Sequence, residues 1–369
     1  MTTEHPLNIV IACGGTGGHL FPGVAVAEEL KKAGHRPMLL ISQKTVDAQA
    51  SRKYGDLDFR TVEAIAKPRL FSLKIFPFAW KLFRTWRTCR QILRESAADA
   101  VLGMGGFTSL PPVKIARGMG IRTYVHDSNA LPGKANRLTA RWCDAVLLGM
   151  QEAAHYFPKS RCLVTGTPIR AELQQSIPAA VAREQLGLDP NLPVVLAMGG
   201  SQGARNLNTA IVGAAAQADG VQFLLLAGQA DYERAHELAK DLQNVAVLPF
   251  CSDMATAYAA ATAVIARSGA SSLTELSALG KAALLVPYPF AADDHQTHNA
   301  RVYAAGGAAR MIRQNLLTAD AILAFVRDIV LCDDARQQME DAARARANDD
   351  AAAHIAHVLE HDTLPDYHD

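Results

Sequence analysis

Short, almost uniformly apolar runs alternate along this chain with segments whose apolar positions recur at helical spacing. In the first half the strand-like runs are Leu7–Cys13, Pro37–Ile41, Phe59–Ile65, Ala100–Gly103, Arg122–His126, Ala145–Leu148 and the short Cys162–Thr165. Helical patterns lie between them at Val24–Ala33, Trp80–Ser96, Pro112–Met119 and Lys134–Trp142. The second half repeats the scheme. Runs at Val194–Met198, Gln222–Leu226, Val245–Leu248, Ala263–Ala266, Ala282–Val286 and Ala308–Ile312 alternate with helices near Ala204–Ala216, Tyr232–Leu242, Met254–Ala261, Ser271–Leu279 and Gln296–Ala304. Strands without an inside–outside alternation, each followed by a helix, predict two α/β halves built on parallel sheets covered on both faces.

The proline-rich stretch from Gly166 to Leu192, with Pro168, Pro178 and Pro190, reads as the connection between the halves. A final Ala/Arg/Asp-rich stretch, Asp334–Leu359, lies beyond the second sheet's pattern and reads as one helical segment. With 369 residues, each half is large enough for its own core. Composition is ordinary for a soluble α/β protein, at 49% hydrophobic and 20% charged. The six cysteines form no CxxC pair and read as reduced, mostly buried thiols of a cytoplasmic protein. Met1–Cys13 lacks the basic start and long apolar run of a signal peptide, and no apolar stretch is long enough to span a bilayer.

Candidate chemistry begins where the first strand of each half ends. Cys13-Gly14-Gly15-Thr16-Gly17-Gly18 and Met198-Gly199-Gly200-Ser201-Gln202-Gly203 are matching glycine-rich turns, each with a small hydroxyl residue and each ahead of a helix. Such turns let a ligand approach the backbone N–H groups, and the helix start behind them favours anions. A third turn, Met104-Gly105-Gly106-Phe107-Thr108-Ser109, has the same setting. The first loop is not a dinucleotide fingerprint, because Leu20 stands where the third glycine would fall and the second strand ends without an acidic residue. A phosphate-binding GxxxxGK[ST] loop is absent as well. Tight corners alone remain the plain alternative for these turns.

His19 follows the first loop and should stand at a helix start, where the helix dipole disfavours its protonation and a neutral imidazole can take a proton from an attacking hydroxyl. A turn-capping histidine is the alternative. Arg267-Ser268-Gly269-Ala270-Ser271-Ser272-Leu273-Thr274-Glu275 runs from strand to helix, with N–H groups and hydroxyls suited to a pyrophosphate. Glu275 can accept from two ribose hydroxyls, or instead close a capping box with Ser271 or Ser272. The polar loop Pro287–Ala300 carries groups able to read sugar hydroxyls, solvated loop chemistry being the alternative.

Seven segments in order resemble the MurG family of glycosyltransferases: Gly14–Gly23, Gly103–Phe107, His126–Asn129, Gly166–Arg170, Gly199–Ala204, Arg267–Glu275 and His295–Ala300. The resemblance implies a GT-B fold, α/β, with two Rossmann-like doubly wound domains facing a cleft. It implies an N-terminal acceptor and membrane-facing domain at 1–166, a linker at 167–192, a C-terminal UDP-GlcNAc domain at 193–333, and a helix at 334–369 returning to the first domain. It implies inverting transfer of GlcNAc from UDP-GlcNAc to the C4 hydroxyl of the muramoyl sugar of lipid I, giving lipid II. On this footing Arg170, Ser201, the backbone at Cys251, Ala270, Ser271, Ser272, Leu273, Thr274, Glu275 and Gln296 would hold UDP-GlcNAc. Thr16, Gly17, Gly18 and Asn129 would contact the sugar end or the acceptor pyrophosphate, with His19 as the base. No metal and no cofactor are implied; Asp56-Leu57-Asp58 reads as surface charge. Two departures fall on the acceptor side: Asp127-Ser128 where the family usually has Glu-Gln, and Ala64–Arg69 in place of a loop containing glycine and arginine.

The net charge of +1 conceals one strongly basic segment. From Lys67 to Arg94 there are eight Lys or Arg residues and no acid, interleaved with Phe71, Phe76, Phe78, Trp80, Phe83 and Trp86. Cations pair with anionic headgroups while aromatics insert at their level, so segment 67–94 is expected to hold the protein on the cytoplasmic face of the cell membrane as a peripheral protein. A helix packing Leu82, Trp86 and Leu93 inward is the plain alternative. No nucleic-acid recognition motif accompanies the charge. Two rival functions share the nucleotide site: a UDP-GlcNAc 2-epimerase, and a nucleotide-sugar sensor without turnover.

Overall fold

The computed structural model describes residues 5–15, 17–43, 54–63, 75–200 and 204–365, with the backbone alone at 75–79, 81–82 and 174. The chain divides into two compact units, Met1–Arg170 with Asn348–Asp369, and Ala171–Ala347.

In the first unit, β1 (Asn8–Ala12), α1 (Gly17–Lys32), β2 (Arg36–Ile41), β3 (Asp58–Thr61), α2 (Ile75–Glu95), β4 (Ala100–Gly103), α3 (Leu110–Gly118), β5 (Arg122–Asp127), α4 (Lys134–Thr139), β6 (Ala145–Leu148) and β7 (Cys162–Val164) follow one another. The sheet order is β3-β2-β1-β4-β5-β6-β7, parallel throughout. Strand order reverses between β1 and β4, and in such sheets ligands bind beyond the carboxyl ends of the strands at that reversal.

The second unit opens with α5 (Ala179–Gln185). There follow β8 (Val194–Met198), α6 (Arg205–Ala215), β9 (Gln222–Leu226), α7 (Tyr232–Ala239), β10 (Val245–Leu248), α8 (Met254–Ala260), β11 (Ala263–Ala266), α9 (Ala270–Ala278), β12 (Ala282–Leu285), α10 (His295–Ala305), β13 (Arg310–Met311), α11 (Ala319–Phe325) and α12 (Asp333–Arg344). Its order, β10-β9-β8-β11-β12-β13, repeats the first with the reversal between β8 and β11. The last helix, α13 (Ala351–His361), belongs to the first unit.

Two expectations change here. The stretch expected as one helix is broken at Ala345–Asp350, so α12 packs into the second core through Met339 while α13 buries Ile355, Val358 and Leu359 in the first. The expected linker is divided as well. From Ala171 onward it belongs to the second unit, where Arg183 donates to the carbonyls of Ala260 (3.0 Å) and Pro190 (2.9 Å). The cysteines are free thiols; Cys13 and Cys89 are buried, Cys143, Cys162 and Cys251 partly so, and Cys332 is exposed.

Candidate active site

In the first unit the loops after β1 and β4 are built into one another. Gly14 lies against the Ile41–Ser42 backbone so closely that a Cβ would come within 2.4 Å of the Ser42 nitrogen, and Gly23 likewise presses α1 onto Cys13. This packing carries α1 back to Gly17, seven residues before the expected start, although Gly17, Gly18, Pro22 and Gly23 all weigh against a helix. Thr108 donates to the Gly14 carbonyl (2.7 Å), and Ser109 donates to Ala12 (3.1 Å) and accepts from the Gly105 N–H (3.0 Å).

His19 is the third residue of α1, and its imidazole rests on the third glycine turn. A Cβ on Gly105 would meet His19 Nε2 at 3.0 Å, and one on Gly106 would meet Cε1 at 3.2 Å. Both glycines have positive φ, +114° and +73°. The seat for the ring therefore needs glycine twice over, for backbone conformation and for space.

Asp127, one of the two departures, is buried and accepts four hydrogen bonds: from the Asn129 N–H (2.9 Å), Asn129 Nδ2 (3.2 Å), the Gly133 N–H (3.1 Å) and Asn136 Nδ2 (2.8 Å). Burial pushes its carboxyl above the usual range, and the four donors pull against that. Asp127 thus shapes the loop that presents Asn129. Asn136, overlooked at the sequence level, also donates to the His126 carbonyl (3.0 Å) and lies beside Gly105. His126 is buried, bonded through Nε2 to the Gly166 carbonyl (2.9 Å), and pushed down to about 4 by desolvation. Arg170 stacks its guanidinium over Phe21 of α1 at 5.2 Å.

In the second unit, α9 starts after Gly269, a residue with no side chain to cap the first turn. First-turn amides at Ala270–Ser272, ahead of the bond from the Leu273 N–H to the Gly269 carbonyl (3.0 Å), are what an anion needs. Glu275, one turn further in, accepts from the buried Tyr258 hydroxyl (2.9 Å), a partner that sequence reasoning missed.

The loops after β11 and β12 are stitched together here. Ser268 donates to the Gln296 carbonyl (2.8 Å), Asn299 donates to Ser268 (3.1 Å), and Gln296 Oε1 accepts from the Tyr288 N–H (2.9 Å). Arg267 donates to the carbonyls of Val286 (3.0 Å) and Pro287 (3.3 Å) and to Gln314 (2.5 Å), with Tyr288 5.6 Å from its guanidinium. Arg267 and Ser268 are therefore the frame of this site, and Gln296 is held by it. Cys251 follows β10, its thiol donating to the Asp253 carbonyl (3.0 Å), while Asp253 caps α8 through Thr256. Cys251, Ala270–Glu275 and Gln296 thus gather at the carboxyl edge of one sheet.

Thr16, Ser201, Gln202 and Gly203, and the departing loop 64–69, lie outside the described residues. Asp56 pairs with Lys31 (2.8 Å) and Asp58 with Arg60 (3.4 Å), ordinary surface ion pairs.

The family model for the glycosyltransferase family 28 N-terminal domain matches residues 9–148, and that for the C-terminal domain matches 194–355. A relative from Citrifermentans bemidjiense, named UDP-N-acetylglucosamine--N-acetylmuramyl-(pentapeptide) pyrophosphoryl-undecaprenol N-acetylglucosamine transferase, is 35% identical, covering 96% of this chain and 99% of its own. The crystal structure of Acinetobacter baumannii MurG is 28% identical, covers 96% of this chain and 99% of that one, and superimposes at a TM-score of 0.77. The chain belongs to the MurG family. Another MurG-type relative, from Nostoc punctiforme, is 36% identical over 96% of this chain and 97% of its own. The Neisseria meningitidis UDP-GlcNAc 2-epimerase superimposes at 0.69, covering 95% of this chain and 99% of that one; at 15% identity it shares the fold alone. The two Rossmann-like units of this MurG family member are thus those of a GT-B glycosyltransferase.

Proposed function

We propose that this chain transfers GlcNAc from UDP-GlcNAc to the pyrophosphoryl-undecaprenol-linked MurNAc-pentapeptide, lipid I, and that the C4 hydroxyl attacks with inversion to give lipid II. The observation that carries the mechanism is His19, seated on Gly105–Gly106 at the third position of α1. From there its imidazole takes the proton of the attacking hydroxyl as the anomeric carbon passes through an oxocarbenium-like state. Asn129, positioned by Asp127, and the α1 start at Gly17–Gly18 serve the acceptor side.

On the donor side the first turn of α9 faces the charge that builds on the departing UDP, a preorganised environment that costs no rearrangement at the moment of bond breaking. Glu275, its orientation fixed by Tyr258, accepts from the ribose hydroxyls, and the backbone at Cys251 meets the base. Gln296 reads the sugar, and Ser201 and Arg170 add donors to the phosphates.

The deciding experiment is transfer from labelled UDP-GlcNAc to a lipid I analogue in EDTA, with His19→Ala alongside. Labelled lipid II in EDTA, and a fall of about 100-fold or more in kcat for the variant, are expected. Release of ManNAc would move the reading to an epimerase, and binding without turnover to a sensor. Full kcat in the variant would remove His19 as base.

The attachment reading rests on α2. Thr85, Cys89 and Leu93 bury its inner face, leaving Trp80 (63% exposed), Phe83 (58% exposed) and Arg84, Arg87, Arg90 and Arg94 outward. We propose that this face binds an anionic bilayer and keeps the enzyme peripheral on the cytoplasmic side.

A further inference from the structure

At the amino edge of the first sheet, opposite the loops just described, α13 ends in His357, Glu360 and His361. One donor atom from each lies within 4.8 Å of the others, and none is fully exposed. We propose that these three residues form a site for a zinc-like divalent transition metal, separate from the transferase chemistry.

The surroundings are those of a built site. His35, just ahead of β2, accepts the Leu7 N–H on Nδ1 (3.1 Å). Its ring proton is therefore on Nε2, and it donates to Glu360 Oε1. A ligating carboxylate is commonly oriented by such a donor. The other oxygen, Oε2, is turned towards His361 Nε2 at 3.5 Å. The helix end is fixed by Asp362, in a left-handed conformation (φ 60°), which accepts from the Tyr124 hydroxyl (2.8 Å) and pairs with Arg161 (2.8 Å). The partial negative charge of a helix C-terminus adds to the attraction for a cation. Arg122 and Arg161 are opposing charges; Arg122 is directed to the Glu360 carbonyl (3.2 Å), and Arg161 is engaged by Asp362.

Two imidazoles and one carboxylate are the donor set of zinc and its neighbours, whereas calcium and magnesium prefer oxygen throughout. Donors around tetrahedral zinc sit roughly 3.3 Å apart, so the site closes by side-chain rotation of about an ångström. The spacing His357-x-x-Glu360-His361 is also that of one class of zinc peptidases, in which the glutamate is the base. Here His35 engages that glutamate, which makes it a ligand in a structural staple joining α13 to the starts of β1 and β2.

The test uses the full-length, untagged protein stripped with chelator and titrated with zinc chloride by calorimetry, with cobalt absorption as a spectroscopic check. One equivalent is expected to bind, and at about hundredfold excess over the dissociation constant to raise the unfolding midpoint by roughly 5 °C. His357→Gln and His361→Gln should each weaken binding at least tenfold. The control His236→Gln, exposed on α7, should not. No binding by the wild-type protein at ~100 µM zinc, where structural sites are long saturated, would overturn the proposal. So would affinity unchanged in both α13 variants, or affinity lost in His236→Gln alone. Transfer activity should be the same with and without zinc.

Discussion

Gly105 is the residue on which the proposed base depends most directly. Its φ of +114° is one that an L side chain rarely adopts, and a methyl there would stand 3.0 Å from His19 Nε2 and 3.2 Å from Asn136 Nδ2. Gly105→Ala should therefore push the imidazole aside and lower kcat roughly 100-fold, while KM for UDP-GlcNAc stays within about twofold, since the donor residues lie on other loops. Steady-state kinetics with each substrate varied would show it; an unchanged kcat would mean that the ring's seat is immaterial. His126 makes a different kind of prediction. Burial holds its folded-state value at about 4, against about 6.5 in an unfolded chain. Between those values the unfolded chain binds a proton that the folded one does not. Stability present above pH ~6.5 is thus lost as pH falls towards 4, by about 3 kcal/mol in all. Urea unfolding across that window should show a steeper fall for the wild type than for His126→Gln, and parallel curves would refute it. His126 stood in the motif that pointed to the family, yet nothing local said that its ring would be spent on the Gly166 carbonyl, forty positions away.

Among the elements, α2 separates an inner from an outer face over its described side chains. Its inner side, Thr85, Cys89 and Leu93, follows helical spacing, and the outer aromatics stack at 6.0 Å between Trp80 and Phe83. Trp80→Ser with Phe83→Ser should leave folding intact, because both side chains are more than half exposed, and should reduce co-sedimentation with anionic vesicles at least tenfold. Binding equal to wild type would end the attachment proposal. The strands of the second unit match the expected ranges closely, β8, β9, β10 and β11 to the residue, because short apolar runs between polar turns leave little freedom of assignment. Helix ends were less legible. The break between α12 and α13 falls at Ala345–Asp350, where Asn348, Asp349 and Asp350 disfavour a helix interior and tertiary partners hold the chain: Arg346 over Tyr303 at 4.9 Å, and Asn348 donating to Thr165 at 3.1 Å. The proposed site was legible as loops and not as contacts. Tyr258 with Glu275, or Asn136 with Asp127, meet because neighbouring strands bring them together, and no spacing within one segment records that.

At the scale of the whole molecule, the first unit is made of two stretches of chain. Ile355, Val358 and Leu359 of α13 are fully buried against Leu20, Val24 and Ala27 of α1. At about 1.5–3 kcal/mol each, those three side chains contribute on the order of 5–9 kcal/mol, comparable with the stability of an entire domain. Ending the chain at Ala347 should therefore abolish the first unit's calorimetric transition while the second unit keeps its own. Retention of both transitions would mean that α13 is dispensable.

The same threading gives the protein an order of manufacture. On the ribosome the sheet of the first unit emerges first, but the strip of α1 that α13 will cover stays wet until all of Ala171–Ala347 has been made. At ~5–20 residues per second that interval is roughly 10–35 s. During it the second unit, continuous in sequence, has time to finish, while the older half waits as an open-faced intermediate that chaperones can hold. The segment translated after the second unit is the one that completes the half translated before it.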